Sequence, residues 1–387
     1  MALVAAGLLV SIDATAASRL AFVTSTEGTA ILGEWSEAGG NVGLAAGDAI
    51  CVARATAANL PEPQAFVAWL SDSNNDAYCR VYGFTGKKSA QCGQASLPIG
   101  AGPWQRTDGM PFMDTFGSGS PVAAVYLPLA RDELGQAVPN ATIFTGTVAD
   151  GGANGRLCGN WQGNGEADIG ETSATYPGWT QLPGYNFCST EGRLACLQKG
   201  TGDALPPRPR AHKLAFVTSM AFTGNLGATA LASGNTGIAA GDSICRNLAQ
   251  AANVPDAETF KAYLPDGAHS TERFEYDGPW QRLDGVKFAD SLAQLRGGSI
   301  NAPLNVMETG GYVVRPDDYA WSAIDPNGNP TQDCTQWTLT TGFGRTSRLD
   351  TAGPNWPRAH VVQVHCGTSN RLYCLSDSDV IFRTGME

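Results

Sequence analysis

Ten cysteines, four histidines and one run of spaced oxygen donors are the residues of this chain whose types and positions suit chemistry. Cys51, Cys79, Cys92, Cys158, Cys188 and Cys196 fall in the first half, and Cys245, Cys334, Cys366 and Cys374 in the second. None forms the C-x-x-C or C-x-x-H knuckle of a zinc site, so the spacing points to disulfides and to an oxidising compartment. His212, His269, His360 and His365 are scattered. The pair at 360 and 365 would point to opposite faces of a strand, which argues against zinc. No G-x-S-x-G elbow, P-loop or H-E-x-x-H motif occurs, and the chain is read as a protein that is not an enzyme. The oxygen donors Asp325, Asn327, Asn329 and Asp333 surround Gly328 in DPNGNPTQD and would suit calcium. They lack the Glu that closes an EF-hand loop, and the first half offers only Asp150 and Asn154, so a metal-free Gly/Asn turn competes with calcium. No other cofactor is expected.

The elements that must position these residues occur twice. RLAFVTS at 19–25 returns as KLAFVTS at 213–219, and GLAAGDAIC at 43–51 returns as GIAAGDSIC at 237–245. GPWQRTDG at 102–109 returns as GPWQRLDG at 278–285, and Cys158 with Trp161 returns as Cys334 with Trp337. The offset falls from 194 to 176, so the first copy carries about 18 additional residues, and Cys79 and Cys92 lie inside them. An insertion that brings its own cysteine pair reads as a locally stapled loop. Cys188 and Cys196 match Cys366 and Cys374, so four cysteines are shared, with three connectivities open to them. A period this long requires a complete core in each copy rather than a solenoid repeat.

Within a copy, LAFVTS is an alternating strand. GDAICVARATAAN and GDSICRNLAQAAN place Ile244, Cys245, Leu248 and Ala252, or their counterparts, on one helical face, with Asp48 and Asp242 as caps. Phe66, Trp69 and Leu70, like Phe260, Tyr263 and Leu264, follow an i, i+3, i+4 pattern that predicts a second helix, and Glu62-Pro63-Gln64 would start it. WQRLDGVKF predicts a hairpin about an Asp-Gly turn. A long loop region follows. The copy ends with a predicted cysteine hairpin, YNFC and RLAC about Ser189–Gly192, and HVVQVHC and RLYC about Gly367–Asn370. Trp104 and Trp280, Trp161 and Trp337, and Trp179 and Trp356 recur, which for tryptophan suggests core packing.

This α+β order, with FVTS, GxAAGDxIC, F-x-A-[WY]-L, GPW-x-R-x-DG, C-x-x-W and RL-x-C, resembles the C-type lectin-like fold. More narrowly it resembles the bacterial endostatin-like branch, which includes outer-membrane adhesins, over about 90% of the chain. The resemblance implies Cys51 paired with Cys196, Cys245 with Cys374, Cys158 with Cys188 and Cys334 with Cys366, leaving Cys79 with Cys92. The Glu-Pro-Asn or Gln-Pro-Asp and Trp-Asn-Asp motifs of calcium-dependent sugar-binding lectins are missing from the long loops. Endostatin's zinc and heparin sites are not implied, because the histidines and arginine cluster behind them are missing. VIFRTGME resembles short C-terminal tails of some secreted proteobacterial proteins.

The expected organisation is a signal-like segment at 1–17, whose apolar run precedes Ala14-Thr15-Ala16, then C-type lectin-like domains at 18–199 and 211–376. A Gly/Pro linker at 200–210 joins them, and 377–387 form a tail. A net charge of −11, with Lys87–Lys88 the only adjacent basic pair, argues against nucleic acid as a partner. No later stretch is long and apolar enough to span a membrane. The expected function is a secreted or cell-surface binding protein that recognises a glycan, matrix or cell-surface protein. The alternative is a structural subunit of an extracellular filament or surface layer, self-assembling through segments such as 3–12 or 379–383.

Overall fold

A computed structural model describes residues 18–116, 125–208, 213–313, 319–325, 329–352, 356 and 362–379. The signal-like segment, His212, Asn327, His360 and most of the tail lie outside them. The fold is mixed α+β. The first copy contains β1 (Arg19–Val23), α1 (Gly43–Ala57), β2 (Phe66–Ala68), β3 (Trp104–Arg106), β4 (Pro111–Met113), β5 (Thr142–Phe144), β6 (Glu166–Ala167), β7 (Ile169–Glu171), β8 (Asn186–Phe187) and β9 (Arg193–Gln198). The second contains β10 (Lys213–Val217), α2 (Gly237–Ala251), β11 (Phe260–Ala262), β12 (Trp280–Arg282), β13 (Lys287–Ala289), β14 (Tyr319–Trp321), β15 (Phe343–Arg348), β16 (Val362–His365) and β17 (Tyr373–Ser376).

The first strand of each copy pairs with its last. β1 lies antiparallel to β9 and parallel to β3, while β10 lies antiparallel to β17 and parallel to β12. The registers agree: Phe22 faces Cys196, and Phe216 faces Cys374. Both faces of the central strands are covered, and side chains sort by the period of two. Phe22, Phe66, Ala68 and Cys196 pack with Ile50 and Cys51 of α1, while Ala21, Val23, Val67 and Trp69 pack under Trp104, Phe112 and Trp179 on the other side. Each fully buried large side chain contributes roughly 1.5–3 kcal/mol of transfer free energy.

Three expectations from the sequence are corrected by this arrangement. The segment expected as a second helix is a single 3-10 turn at Pro63–Ala65 followed by β2, with β11 its counterpart. Phe66, Ala68 and Leu70 face α1 while Val67 and Trp69 face away, so a strand buried on both faces imitated helical spacing. Asp48 and Asp242 do not cap the helices, which start five residues earlier at Gly43 and Gly237. Instead Asp48 accepts from the Ala68 backbone N–H at 3.0 Å and from Arg80, and Asp242 accepts from Ala262 N–H at 2.9 Å and from Arg273 at 2.6 Å. They bind the helix to the adjoining strand. Gly47 allows that approach, since a Cβ there would lie 2.9 Å from Leu70 and 3.2 Å from Ala68. Finally, the terminal cysteine segments do not form hairpins with each other. β8 pairs with β6 and β16 with β15, whereas β9 and β17 enter the main sheets. The Asp-Gly hairpins are present as β3–β4 and β12–β13.

The copies meet about a local two-fold axis. The registers of β5 with β7 and β14 with β15 make Glu171 equivalent to Arg348, and hence Ala174 to Thr351. These two equivalent residues bridge each other antiparallel. Thr175 N–H donates to Asp350 O at 2.7 Å, and Ala352 N–H donates to Ser173 O at 3.1 Å. Like positions therefore exchange like hydrogen bonds, as in an isologous dimer interface.

All ten cysteines are paired: Cys51–Cys196, Cys79–Cys92, Cys158–Cys188, Cys245–Cys374 and Cys334–Cys366. These are the pairs named from the resemblance. Their loops differ in length, 145 residues for Cys51–Cys196 against 13 for Cys79–Cys92. By chain entropy alone, replacing the first pair by serine costs about 5 kcal/mol and replacing the second about 3 kcal/mol. Urea unfolding of the two double variants should show that order, and an equal loss would show that loop length does not govern the stapling.

Candidate functional site

The C-x-x-W segments form the base of the candidate site. Cys158, Gly159, Asn160 and Trp161 have φ of 48°, 58°, 58° and 65°, and Cys334, Thr335, Gln336 and Trp337 have 56°, 55°, 54° and 64°. Each is one turn of left-handed helix, a conformation costing roughly 1–2 kcal/mol per ordinary L-residue. It persists because its ends are over-determined. The cysteine is tied to Cys188 or Cys366. The tryptophan is buried, with the Trp161 indole donating to Ser71 O at 2.8 Å and the Trp337 indole to Pro265 O at 3.4 Å. Trp104, Trp280, Trp179 and Trp356 are also buried, so all six repeated tryptophans are core residues.

The disulfide from each left-handed turn reaches the end of a short ribbon that carries exposed aromatic side chains. In the first copy Glu166 lies opposite Phe187, and in the second Phe343 lies opposite His365 at the same ribbon position. Tyr185 and Phe187 are 41% and 60% exposed, and their rings meet edge to face at 5.9 Å. The Arg156 guanidinium lies 4.7 Å from the Tyr185 ring centre and 3.3 Å from Glu166 Oε2. In the second copy Phe343 is 53% exposed and meets the exposed His365 ring edge to face at 5.9 Å, with Leu339 44% exposed nearby in sequence. Such clusters offer flat apolar surface flanked by hydrogen-bonding groups, suited to stacking on the apolar face of a sugar ring or on a partner's side chain.

The donors considered for calcium are only partly gathered. Asp325 Oδ1 accepts from the Asn329 backbone N–H at 2.9 Å, and Asn329 O accepts from Asp325 N–H at 2.9 Å, which closes a turn. Asp333 accepts from Gln336 N–H at 2.9 Å and caps the left-handed turn. Asn327 lies outside the described residues. No cluster of three His, Cys, Asp or Glu side chains suited to a metal ion occurs among the described residues. His269 is buried and its Nδ1 accepts from Thr271 N–H at 3.2 Å, a helix-capping role.

Several polar residues that sequence reasoning passed over are shared fittings of the scaffold. The Ser25 backbone N–H and hydroxyl both donate to the buried Glu133, and Ser219 donates likewise to Glu308. Arg106 chelates Asp108 and donates to Pro128 O at 2.9 Å, and Arg282 chelates Asp284 and donates to Pro303 O at 2.8 Å. The repeated FVTS and WQR-x-DG signatures signalled these fittings. The exposed aromatics were missed because their exposure is not recorded in the local pattern, and the position of Phe187 is held by His365 in the second copy rather than by a repeated Phe, Tyr or Trp.

No protein-family model matches the sequence, and no curated protein matches it either. The residues themselves therefore carry the functional reading.

Beneath the Arg156–Glu166 pair, Asp168 is 2% exposed, and its Oδ2 has no hydrogen-bond partner among the described residues. Burial raises its carboxyl above the ordinary range, opposed by the Arg156 charge. A folded-state pKa raised above the unfolded value imposes a penalty present at neutral pH and relieved as pH falls through the folded pKa. Asp168→Asn should raise the thermal midpoint by a few degrees at pH 7, with the gain shrinking as pH falls through the raised folded-state pKa and gone below the unfolded carboxylate value of about 4. Thermal unfolding across that range checks this, and a loss of stability at pH 7 would count against the assignment.

Proposed function

We propose that the protein is a secreted or cell-surface binding protein of C-type lectin-like, endostatin-like architecture, without enzymatic activity. Two stapled copies present ribbon and long-loop surfaces to a glycan, matrix or cell-surface protein. The observation that carries this reading is the pair of exposed aromatic clusters, Tyr185 with Phe187 and Phe343 with His365, at equivalent ribbons of the two copies. Large apolar side chains held in solvent on a rigid, disulfide-anchored ribbon contribute nothing to the core and are placed for contact with a partner.

The scaffold supports the same reading. The joined first and last strands, and the bond from the first helix to the last strand, form a frame that leaves the long loops free to vary. β2, standing where the residue spacing predicted the second helix that contributed to the resemblance, is a departure from that pattern. Ten paired cysteines fit an oxidising compartment, and no helix among the described residues is long and apolar enough to cross a membrane. Two equivalent patches on one chain would add avidity toward a repeating ligand.

The test is binding of the oxidised chain to immobilised glycans and matrix proteins, with calcium and then with chelator, beside Tyr185→Ser/Phe187→Ser and Phe343→Ser. Each variant should weaken saturable binding about five- to thirtyfold, as expected when a stacking contact worth about 1–2 kcal/mol is lost. Thermal midpoints should stay within a degree or two. Retained binding by the combined triple variant would reject the ribbons as the contact surface, and absence of binding to the panel would reject the recognition reading.

A further inference from the structure

The local two-fold axis generates two equivalent clefts at the junction, and one of them is filled. At the second copy's Arg282–Asp284 hairpin, Tyr126, Leu127, Val286 and Ala302 form one apolar cluster with Leu205 and Tyr312. Tyr312 hydroxyl donates to Asp284 Oδ2 at 2.5 Å, its ring meets Tyr126 edge to face at 6.1 Å, and the Arg208 guanidinium covers the Tyr126 ring at 4.2 Å. Tyr126 and Tyr312 thus fill this cleft, and Leu205 and Arg208 of the joining segment cover it.

The cleft at the first copy's Arg106–Asp108 hairpin is open. Backbone pairing fixes the equivalences: Arg131 bridges Ala137 as Val306 bridges Tyr312, and Tyr126 N–H donates to Phe112 O as Asn301 N–H donates to Phe288 O. Ala137 thus stands where the filled cleft has Tyr312, and Asn301 where it has Tyr126. Two tyrosines have become small residues, and a cavity of about 350 Å³ remains, lined by Arg106, Asp108, Met110, Arg131, Lys287 and Asn301 among others. That is the size of a small-molecule site.

Its electrostatics also differ from those of its twin. Arg131, which replaces Val306, donates its Nε to Asp108 Oδ2 at 2.8 Å, the carboxylate position that Tyr312 occupies on Asp284. Asp108 is thereby engaged by two guanidinium groups, Arg106 and Arg131. Arg131 is 32% exposed and Lys287, at the rim, 46% exposed, although Lys287 also contacts Asp290 at 2.5 Å. Three cations and one carboxylate among the lining residues make this cleft positive on a chain with a net charge of −11. Guanidinium donors beside an apolar, ring-sized space match a carboxylate attached to a flat ring.

We propose that the open cleft between the two copies binds a small aromatic carboxylate, with its ring in the space vacated by the two tyrosines and its carboxylate on Arg131 and Lys287. A free aromatic acid and the C-terminal phenylalanine of a peptide share this chemistry. The site is independent of the ribbon surfaces and stands or falls separately from them.

The test is titration of the full oxidised chain, followed by ligand-observed NMR and calorimetry, with benzoate and phenylacetate in one arm and N-acetylglycylphenylalanine in the other. A dissociation constant on the order of 1 mM or tighter is expected for at least one arm, and the tighter arm names the source. Acetate, which lacks the ring, and benzyl alcohol, which lacks the charge, should bind about tenfold more weakly or not at all. Ala137→Tyr/Asn301→Tyr, which installs the residues of the filled cleft, and Arg131→Val, which installs the residue of the second copy, should each weaken binding at least about tenfold. If the double variant fails to fold, Arg131→Val alone decides. No saturable binding in either arm, equal binding by benzyl alcohol, or unchanged binding by Arg131→Val would overturn the proposal.

Discussion

The pairing of the first strand with the last organises each copy. β1 must join β9 across almost the whole copy, and β10 must join β17, so neither sheet exists until the chain has returned on itself. Bringing such distant segments together carries a loop-closure cost that grows slowly with length. The Cys51–Cys196 and Cys245–Cys374 bonds offset it by fixing the first helix to that last strand. Once the joint is made, β2 or β11 adds to the exposed edge of the last strand, and β3 or β12 adds beside the first. The helix then covers one face and the tryptophan-lined loops the other. The tie from Asp48 or Asp242 to the neighbouring strand and its arginine belongs to this same joint.

Duplication shows which residues serve the frame. Groups shared by both copies, including the serine–glutamate contacts, the chelated arginine–aspartate pairs and the six tryptophans, are buried and engaged within the protein. The left-handed C-x-x-W turns belong with them, since their unfavourable backbone is held by a disulfide at one end and a buried indole at the other. The Cys79–Cys92 insertion also differs between the copies, but its cysteines pack into the first copy's core; the differences on the outside or at the junction are Tyr185 and Phe187 and the replacement of two tyrosines by Ala137 and Asn301. Variation at those places changes a surface without loosening a core.

The junction adds a constraint that neither copy has alone. Equivalent segments hydrogen-bond across a local two-fold axis, so the copies are placed by backbone contacts and not only by the segment that joins them. Symmetry would make the two flanking clefts identical, but the joining segment can run past only one of them. That path, with Leu205 and Arg208, covers one cleft and leaves its twin open.

Much of the frame was legible in the residues. The duplication, the β1 and β10 strands, the cysteine-bearing helices, the Asp-Gly hairpins and the tryptophan core all rest on local patterns whose period or turn chemistry has one reading. Other features required the folded chain. Phe66, Trp69 and Leu70 read as a helix face because a strand covered on both sides loses its alternation, and only the layers above and below show which side each residue takes. The closing cysteine segments read as hairpins because they adjoin a turn, yet their partners lie far away in sequence. The same limit hid the ribbon aromatics and the open cleft. Sequence alone determined that two stapled copies of one α+β unit exist and which residues they share. Tertiary structure decided where unshared residues meet, because exposure and cavity shape are set by contacts between segments that no local pattern records.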